Sequence, residues 1–365
     1  MRVMTIFGTR PELIRLSLVL GILDRHCEHI TVHTGQNYHE SLSDMFIREL
    51  GIRTPNVHLG IRSTGFADQA AQILKGVDAA LDEHKPDKVL ILGDTNSALS
   101  AIVCARRGIP VFHMEAGNRC YDDRVPEEVN RRIIDHSSTI LLPYTERSKE
   151  NLVAEGISRD RIYVTGNPIY EVLQSFGDEI NRSSALTELG VKPSEYFLVT
   201  LHRAENVDIP ERLASIFEGF KVVSERFDRE ILISVHPRTA EKIKEFGITV
   251  DSKKIRLLEP LGFFDFVKLE QNALAVMTDS GTVQEECAIF GVPNVTVRDV
   301  TERPETLECG SNIIAGANSD AILSAVEIAV AQPSNWTPPR DYLTTNTSQC
   351  VSKIVLGYTS LRKHS

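Results

Sequence analysis

Pro110-Val111-Phe112-His113-Met114-Glu115-Ala116-Gly117-Asn118-Arg119-Cys120-Tyr121-Asp122-Asp123-Arg124-Val125-Pro126-Glu127-Glu128-Val129-Asn130-Arg131-Arg132 is the stretch whose reading decides the fold. It opens as an apolar strand, Pro110 to Met114. At a period of two, Val111, His113 and Glu115 share one face, while Phe112 and Met114 share the other. The chain then leaves the sheet and meets Asp122, Asp123, Glu127 and Glu128 interleaved with Arg119, Arg124, Arg131 and Arg132. A charge run on its own reads most simply as a solvated, self-paired surface leading into the helix expected from near Pro126. This run sits at the carboxyl end of a strand, where open parallel sheets bind their ligands. Its position therefore marks it as a candidate site.

Outward from that strand, the chain alternates strands and amphipathic helices. Strands are expected at Val3 to Phe7, His29 to His33, Lys88 to Leu92, Pro110 to Met114, Thr139 to Leu142 and Ile162 to Val164. Helices are expected at about 11–26, 38–50, 66–84, 96–107, 127–137 and 145–155. The series stops near Gly166-Asn167-Pro168, and residues 181–195 are polar and irregular. A second series follows, with strands at Phe197 to Leu201, Glu230 to Val235, Ile255 to Leu258, Leu274 to Thr278, Asn294 to Val297 and Asn312 to Ile314. The expectation is an α/β protein of two Rossmann-like, doubly wound domains, 1–168 and 169–346, with a cleft between them. A C-terminal helix within about 347–365 is expected to pack back onto the first domain.

At 365 residues the chain is too long for one core of ordinary size. A hydrophobic content of 42% and a charged content of 25% are those of a globular protein. The net charge of -10 argues against a nucleic acid or an anionic membrane as partner. No apolar stretch is long enough to span a bilayer, and the amino terminus lacks the pattern of a secretory signal. The six cysteines are scattered without a CxxC pair, which suggests reduced thiols in the cytoplasm and no zinc site.

Other motifs fall at the remaining strand ends. Gly8-Thr9-Arg10-Pro11-Glu12 runs into a helix with Arg15 on its first turns, an arrangement suited to a phosphate or to an ordinary salt-bridged turn. Gly93-Asp94-Thr95-Asn96 puts Asp94 on the same rim as Glu115, either as a site carboxylate or as a helix cap. In the second half, His202-Arg203 and His236-Pro237-Arg238 end consecutive strands. Asp279-Ser280-Gly281-Thr282 then turns into a helix carrying Glu286, where anion and ribose contacts are both conceivable. Arginines follow at Arg298 and Arg303.

GTRPE with a basic residue three beyond it, GDTNS, HMEAGNR followed by PEEVNRR, LHRAEN, TDSGTVQEE and RDVTERPE occur in this order. Together they resemble the non-hydrolysing UDP-N-acetylglucosamine 2-epimerases, from Arg2 to about Glu305. The resemblance implies a GT-B fold and inversion at C2 of a UDP-2-acetamido sugar without NAD or a metal. The implied route eliminates UDP in the anti sense to a 2-acetamidoglycal, then adds UDP back. It also implies a cytoplasmic homodimer that takes a UDP-sugar and binds neither nucleic acid nor membrane.

Carried over residue by residue, the resemblance makes Asp94, Glu115 and Glu127 the acid/base carboxylates and His202 the residue near the pyrophosphate. Arg10, Arg15, Ser280, Gly281, Glu286 and Arg303 become the UDP-binding positions. The chain departs from the common family pattern at Arg15, where lysine is usual, and at Asn118, Thr282, Gln36-Asn37 and Arg238-Thr239. The NRCYDDRVPEE form resembles the subgroup that makes UDP-N-acetyl-L-fucosamine from a 6-deoxy-L-talose precursor for capsule or O-antigen. That is the preferred substrate on the motif alone, with UDP-N-acetylglucosamine next. A GT-B glycosyltransferase, a hydrolysing epimerase and a non-catalytic nucleotide-sugar binder are the rival classes.

Overall fold

A computed structural model describes residues 1–35, 40–63, 65–250, 254–332 and 334–359, without the side chains of 40–43. Gln36 and Asn37 lie outside the described residues. The chain divides into two compact units, Met1–Leu173 with Asp341–Ser365, and Gln174–Arg340.

The first unit holds strands β1 (Arg2–Phe7), β2 (Glu28–His33), β3 (Val57–His58), β4 (Lys88–Leu92), β5 (Val111–Met114) and β6 (Ile140–Leu142). They form one parallel sheet in the order β3-β2-β1-β4-β5-β6. The second unit repeats the plan with β7 (Tyr196–Leu201), β8 (Glu230–Val235), β9 (Ile255–Leu258), β10 (Ala275–Thr278), β11 (Asn294–Thr296) and β12 (Asn312–Ile314). Its order is β12-β11-β10-β7-β8-β9, again all parallel. Read from the first strand of each unit, both sheets are the doubly wound order with a switch point between strands one and four.

The strands are buried on both faces, as parallel strands covered by crossover helices must be. Phe112 of β5 meets the Tyr358 ring edge-on at 5.4 Å on one face, while His113 bonds Asp135 of the helix Pro126–Ser137 on the other. The C-terminal helix Thr347–Gly357 is anchored to the first unit. Lys88 donates to the Val355 and Leu356 carbonyls at 2.6 and 3.2 Å, and Ser348 donates through N and Oγ to Glu171. A cation at a helix carboxyl end satisfies carbonyls that have no partner inside the helix.

Most of the expected strands are present within a residue at each end. Ile162–Val164 is not a strand: Ile162 makes a single bridge to Leu141. The two-residue β3 was not expected, because so short an edge strand carries no period of its own. Three short helices lie at Ile169–Ser175, Gly177–Arg182 and Ala185–Leu189, so the stretch 181–195, expected to be irregular, contains the end of the second and all of the third. Among the described residues, no helix is long and apolar enough to cross a membrane, and no group of His, Cys, Asp and Glu is arranged to hold a metal ion. None of the six cysteines forms a disulfide.

Candidate functional residues at the carboxyl edge of each sheet

Register sets the geometry of the first edge. Ile6 pairs with Ile91 and Leu92 with Met114, so the turns beginning at Gly8, Gly93 and Glu115 leave the sheet together at its switch point. Arg10 is the first residue of the helix Arg10–His26, with Pro11 fixing the first turn. Its guanidinium lies 5.6 Å from the Phe46 ring centroid, and burial pulls its pKa below the usual arginine range. One turn on, the buried Arg15 forms an ion pair with the equally buried Glu115, 100 positions away in the chain. The Arg15 guanidinium also stands 5.6 Å from the Tyr144 ring centroid.

Glu115 itself adopts φ +64°, the left-handed region that a side-chain-bearing residue rarely occupies. The conformation is held from several directions. Glu115 N donates to the Leu142 carbonyl at 3.2 Å, and Asn118 Nδ2 donates to Glu115 Oε1 at 3.2 Å. Gly117, at φ +80°, sits so close to the helix Glu146–Ala154 that a Cβ there would come within 2.2 Å of the Ser148 carbonyl. Only glycine allows this approach.

Beneath the turn, the fully buried Asp135 accepts from His113 Nδ1 at 2.8 Å, Gly117 N at 3.2 Å and Arg119 at 2.8 Å. Burial alone would raise the Asp135 pKa, but His113 and Arg119 outweigh it and the carboxyl lies below the usual range. The other ring nitrogen of His113 donates to the Gly93 carbonyl at 2.8 Å, tying the β4 turn to the β5 turn.

Asp94 is not the helix cap, since Thr95 holds the N-cap position of the following helix, Asn96–Ser100. Instead it accepts from Arg131 Nε at 2.8 Å, and Arg131 also reaches the fully buried Glu128 at 2.7 Å. Glu128 takes the Cys120 and Tyr121 N–H groups at 3.0 and 3.1 Å. Burial opposes its ionisation, yet those hydrogen bonds and Arg131 bring its pKa below the usual carboxylate value. Its neighbour Glu127, the position singled out by motif, is half-buried at the start of the same helix. Glu12 is a further carboxyl that the motif reading passed over. It accepts from Gly8 N at 3.0 Å and from Thr9 N and Oγ1 at 2.7 Å, and burial lifts its pKa to about 7.

The edge of the second sheet is organised around Asp279, which sequence reasoning quoted without a role. Thr200 pairs with Thr278, so the β7 and β10 turns leave side by side. The buried Asp279 carboxylate accepts from the backbone N–H of His202 at 3.0 Å and of Arg203 at 2.9 Å, and from Asn206 Nδ2 at 3.2 Å. His202 Nδ1 completes the set at 3.1 Å. Burial pushes the Asp279 pKa up, but His202 and the backbone donors win and bring it to about 2.

Ser280 and Gly281 open the helix Gly281–Phe290, and a Cβ on Gly281 would lie 3.4 Å from the guanidinium carbon of Arg303. Arg303 is buried and ion-paired with Glu285. Arg298 and Arg203 both reach Glu302, at 2.7 and 3.2 Å. Glu286 is buried on the same helix. The second His-Arg pair serves the backbone: His236 caps the helix Pro237–Glu245 by accepting from Arg238 N at 3.3 Å. The structure therefore brings Arg10, Arg15, Asp94 and Glu115 to one sheet edge, and His202, Ser280, Gly281 and Arg303 to the other.

Two Rossmann-like domains, each built on a doubly wound parallel sheet, define a protein of the two-domain GT-B fold. The family model described as UDP-N-acetylglucosamine 2-epimerase matches residues 22–356. A UDP-N-acetylglucosamine 2-epimerase of Methanocaldococcus jannaschii is 42% identical over 347 residues, covering 93% of this chain and 95% of the relative. A UDP-2,3-diacetamido-2,3-dideoxy-D-glucuronate 2-epimerase of Pseudomonas aeruginosa is 34% identical, covering 91% and 93%. Among solved structures, the M. jannaschii UDP-GlcNAc 2-epimerase in complex with UDP-GlcNAc and UDP superposes with a TM-score of 0.94 at 39% identity, over 98% of this chain and 100% of that one. The chain belongs to the UDP-N-acetylglucosamine 2-epimerase family and is a non-hydrolysing UDP-sugar 2-epimerase, an isomerase.

Proposed function

We propose that the protein interconverts UDP-N-acetylglucosamine and UDP-N-acetylmannosamine. The observation that carries the reading is the Arg15–Glu115 pair at the first switch point, with Asp94 leaving the neighbouring strand. The C2 hydrogen has no adjacent carbonyl to acidify it, so its removal must be coupled to departure of UDP. As the C2–H bond breaks to a carboxylate, its electrons form the C1=C2 bond and the C1–O bond leaves with UDP. Re-addition of UDP and return of a proton to the other face of C2 complete the inversion. A positioned base and a cationic seat for the leaving diphosphate are the two requirements.

In this reading Asp94 and Glu115 exchange the C2 proton and Glu127 tunes them. His202 stands near the pyrophosphate. Arg10, Arg15, Ser280, Gly281 and Arg303 hold phosphate, and Glu286 takes ribose hydroxyls. No redox step enters the route, so NAD is not required. The reading includes a cytoplasmic homodimer, whose stoichiometry light scattering of the purified protein would report.

UDP-N-acetylglucosamine is placed first because a relative at 42% identity bears that activity in its name. The 6-deoxy-L-talose substrate leading to UDP-N-acetyl-L-fucosamine, with its capsule or O-antigen role, is the second reading. It rests on the Asn118-Arg119-Cys120-Tyr121-Asp122-Asp123-Arg124 loop. The test is proton NMR in deuterated water with both substrates. Appearance of the C2 epimer carrying deuterium at C2 is expected from UDP-N-acetylglucosamine. Epimerisation of the 6-deoxy-L sugar alone would reverse the order of the two readings, and accumulation of free UDP with free sugar would overturn both.

A further inference from the structure

The carboxylate proposed as a base, Glu115, is held by more than its arginine. Gly117 lets the loop after β5 press against the first turn of the helix Glu146–Ala154. Asn151 Nδ2, one turn further along that helix, donates to the Gly117 carbonyl at 2.9 Å, and Arg119 Nη1 donates to the Asn118 carbonyl at 2.8 Å. The Asn118 side chain is thereby set between Glu115 and the helix start. Glu115, Asn118, Thr145 and Ser148 are all buried.

Hydrogen bonds run through these four residues in one direction. The Glu115 carboxylate, ion-paired with Arg15 through Oε2, can only accept. The end of the Asn118 amide that faces it is therefore the donor, and Nδ2 lies 3.2 Å from Glu115 Oε1. The amide oxygen Oδ1 then points to Ser148 Oγ, which donates to it at 2.9 Å. A hydroxyl has one proton to give, so Ser148 Oγ is left to accept, and Thr145 Oγ1 donates to it at 3.1 Å. Thr145 is the N-cap of the helix and itself accepts from Ser148 N at 3.1 Å. An amide turned the other way would present its oxygen to the carboxylate, and the two would repel in a site of low polarity. Held at both oxygens, the carboxylate resists rotation about its Cγ–Cδ bond.

We propose that Asn118 is a positioning residue for the proton step: locked by Ser148 and Thr145 to the start of a helix, it fixes the plane of the Glu115 carboxylate that exchanges the C2 proton. The proposal rests on the reading of Glu115 as a base made above. Asn118 acts through Glu115, and alignment of a base counts in the transition state, so its contribution falls on kcat and leaves nucleotide binding alone.

The experiment compares wild type, Asn118→Leu, Ser148→Ala and the double variant. It measures kcat and KM for epimerisation of UDP-N-acetylglucosamine, or of the 6-deoxy-L-talose substrate if wild type epimerises only that. UDP binding is titrated by calorimetry, and kcat is counted per UDP-binding site so that misfolded protein does not enter. Asn118→Leu fills similar space without a donor. It is expected to lower kcat about 10-fold and to keep KM and the UDP Kd within about twofold. Ser148→Ala frees the amide to turn over and is expected to lower kcat about threefold. Because both act through one chain, the double variant should be no slower than Asn118→Leu alone. Wild-type kcat in Asn118→Leu refutes the proposal, as does a double variant slowed by the product of the two single effects. A rise in KM and UDP Kd at unchanged kcat also refutes it, since that is the mark of a role in shaping the pocket only.

If Asn118→Leu does not fold, Ser148→Ala decides: a lower kcat at unchanged KM supports the chain, and wild-type kcat refutes it. Glu115→Gln separates the proposal from the reading beneath it. Full C2 deuterium exchange in Glu115→Gln removes Glu115 as a base and the proposal with it. Exchange lost in Glu115→Gln but kept at the wild-type rate in Asn118→Leu removes the proposal alone.

Discussion

At the carboxyl edge of the first sheet, the carboxylates are met by arginine side chains from distant parts of the chain: Glu115 by Arg15 and Asp94 by Arg131. At the corresponding edge of the second sheet, Asp279 is met mainly by backbone N–H groups of the adjoining turn. The strand orders are the same, and the means of holding the turns differ. Side-chain ion pairs place charge where a proton must be moved, and a guanidinium can rearrange with its substrate. A carboxylate clasped by backbone donors makes the turn itself rigid, which suits a seat for a nucleotide that must leave and return unchanged. On the function proposed above, the first edge is the reacting side and the second the holding side.

The largest expected effect tests the reacting side. Glu115→Gln keeps the shape of the side chain and removes the proposed base, so kcat should fall by about 10³-fold, measured as loss of C2 deuterium incorporation in protein whose circular dichroism stays native. Retention of full exchange would break the comparison at its first term. On the holding side, Asp279→Asn should cost about 3 kcal/mol of stability, because a buried carboxylate with four donors is replaced by a group that also presents N–H to them. Chemical denaturation measures this.

That cost should depend on acid in one direction only. The Asp279 pKa is depressed to about 2 when folded against 3.8 unfolded. Its stabilisation, about 2 kcal/mol, is present above pH 4 and lost as pH falls through 2. The gap between wild type and Asp279→Asn should therefore narrow over that window.

Two smaller effects sharpen the contrast. Lys88 lies at the opposite end of β4 from Asp94 and holds the C-terminal helix. Lys88→Met should cost about 1–2 kcal/mol and leave kcat unchanged, which calorimetry and kinetics together would check. Arg15→Lys restores the residue common in the family pattern and retains the charge while losing the planar fork. A rise in KM of less than about 10-fold with little change in kcat is expected, and a collapse of kcat would mean that Arg15 serves the proton step as well as the diphosphate.

The elements legible in the chain were those with a period to read. Lys88–Leu92, Glu230–Val235 and Phe66–His84 have the boundaries expected from alternation and amphipathicity alone. Val57–His58 was illegible because two residues show no alternation. Ile162–Val164 misled because an apolar triplet was free to become a strand and found only one bridge. At the site, Asp94, Glu115 and Arg15 could be named from motif and strand-end position. Their pairings, Arg15 with Glu115 and Asp94 with Arg131, could not.

Local pattern thus carried the fold class, the two series of strands and the chemical character of each strand end, since these depend on neighbours within a few residues. Pairings across long separations were set only when the sheets closed: Arg15 to Glu115, His113 through Asp135 to Gly117, and Asp279 to the turn 77 residues before it. A buried charge takes whichever complementary group the packed fold brings within about 3 Å, and that distance is decided by register and by crossover helices rather than by the residues beside it.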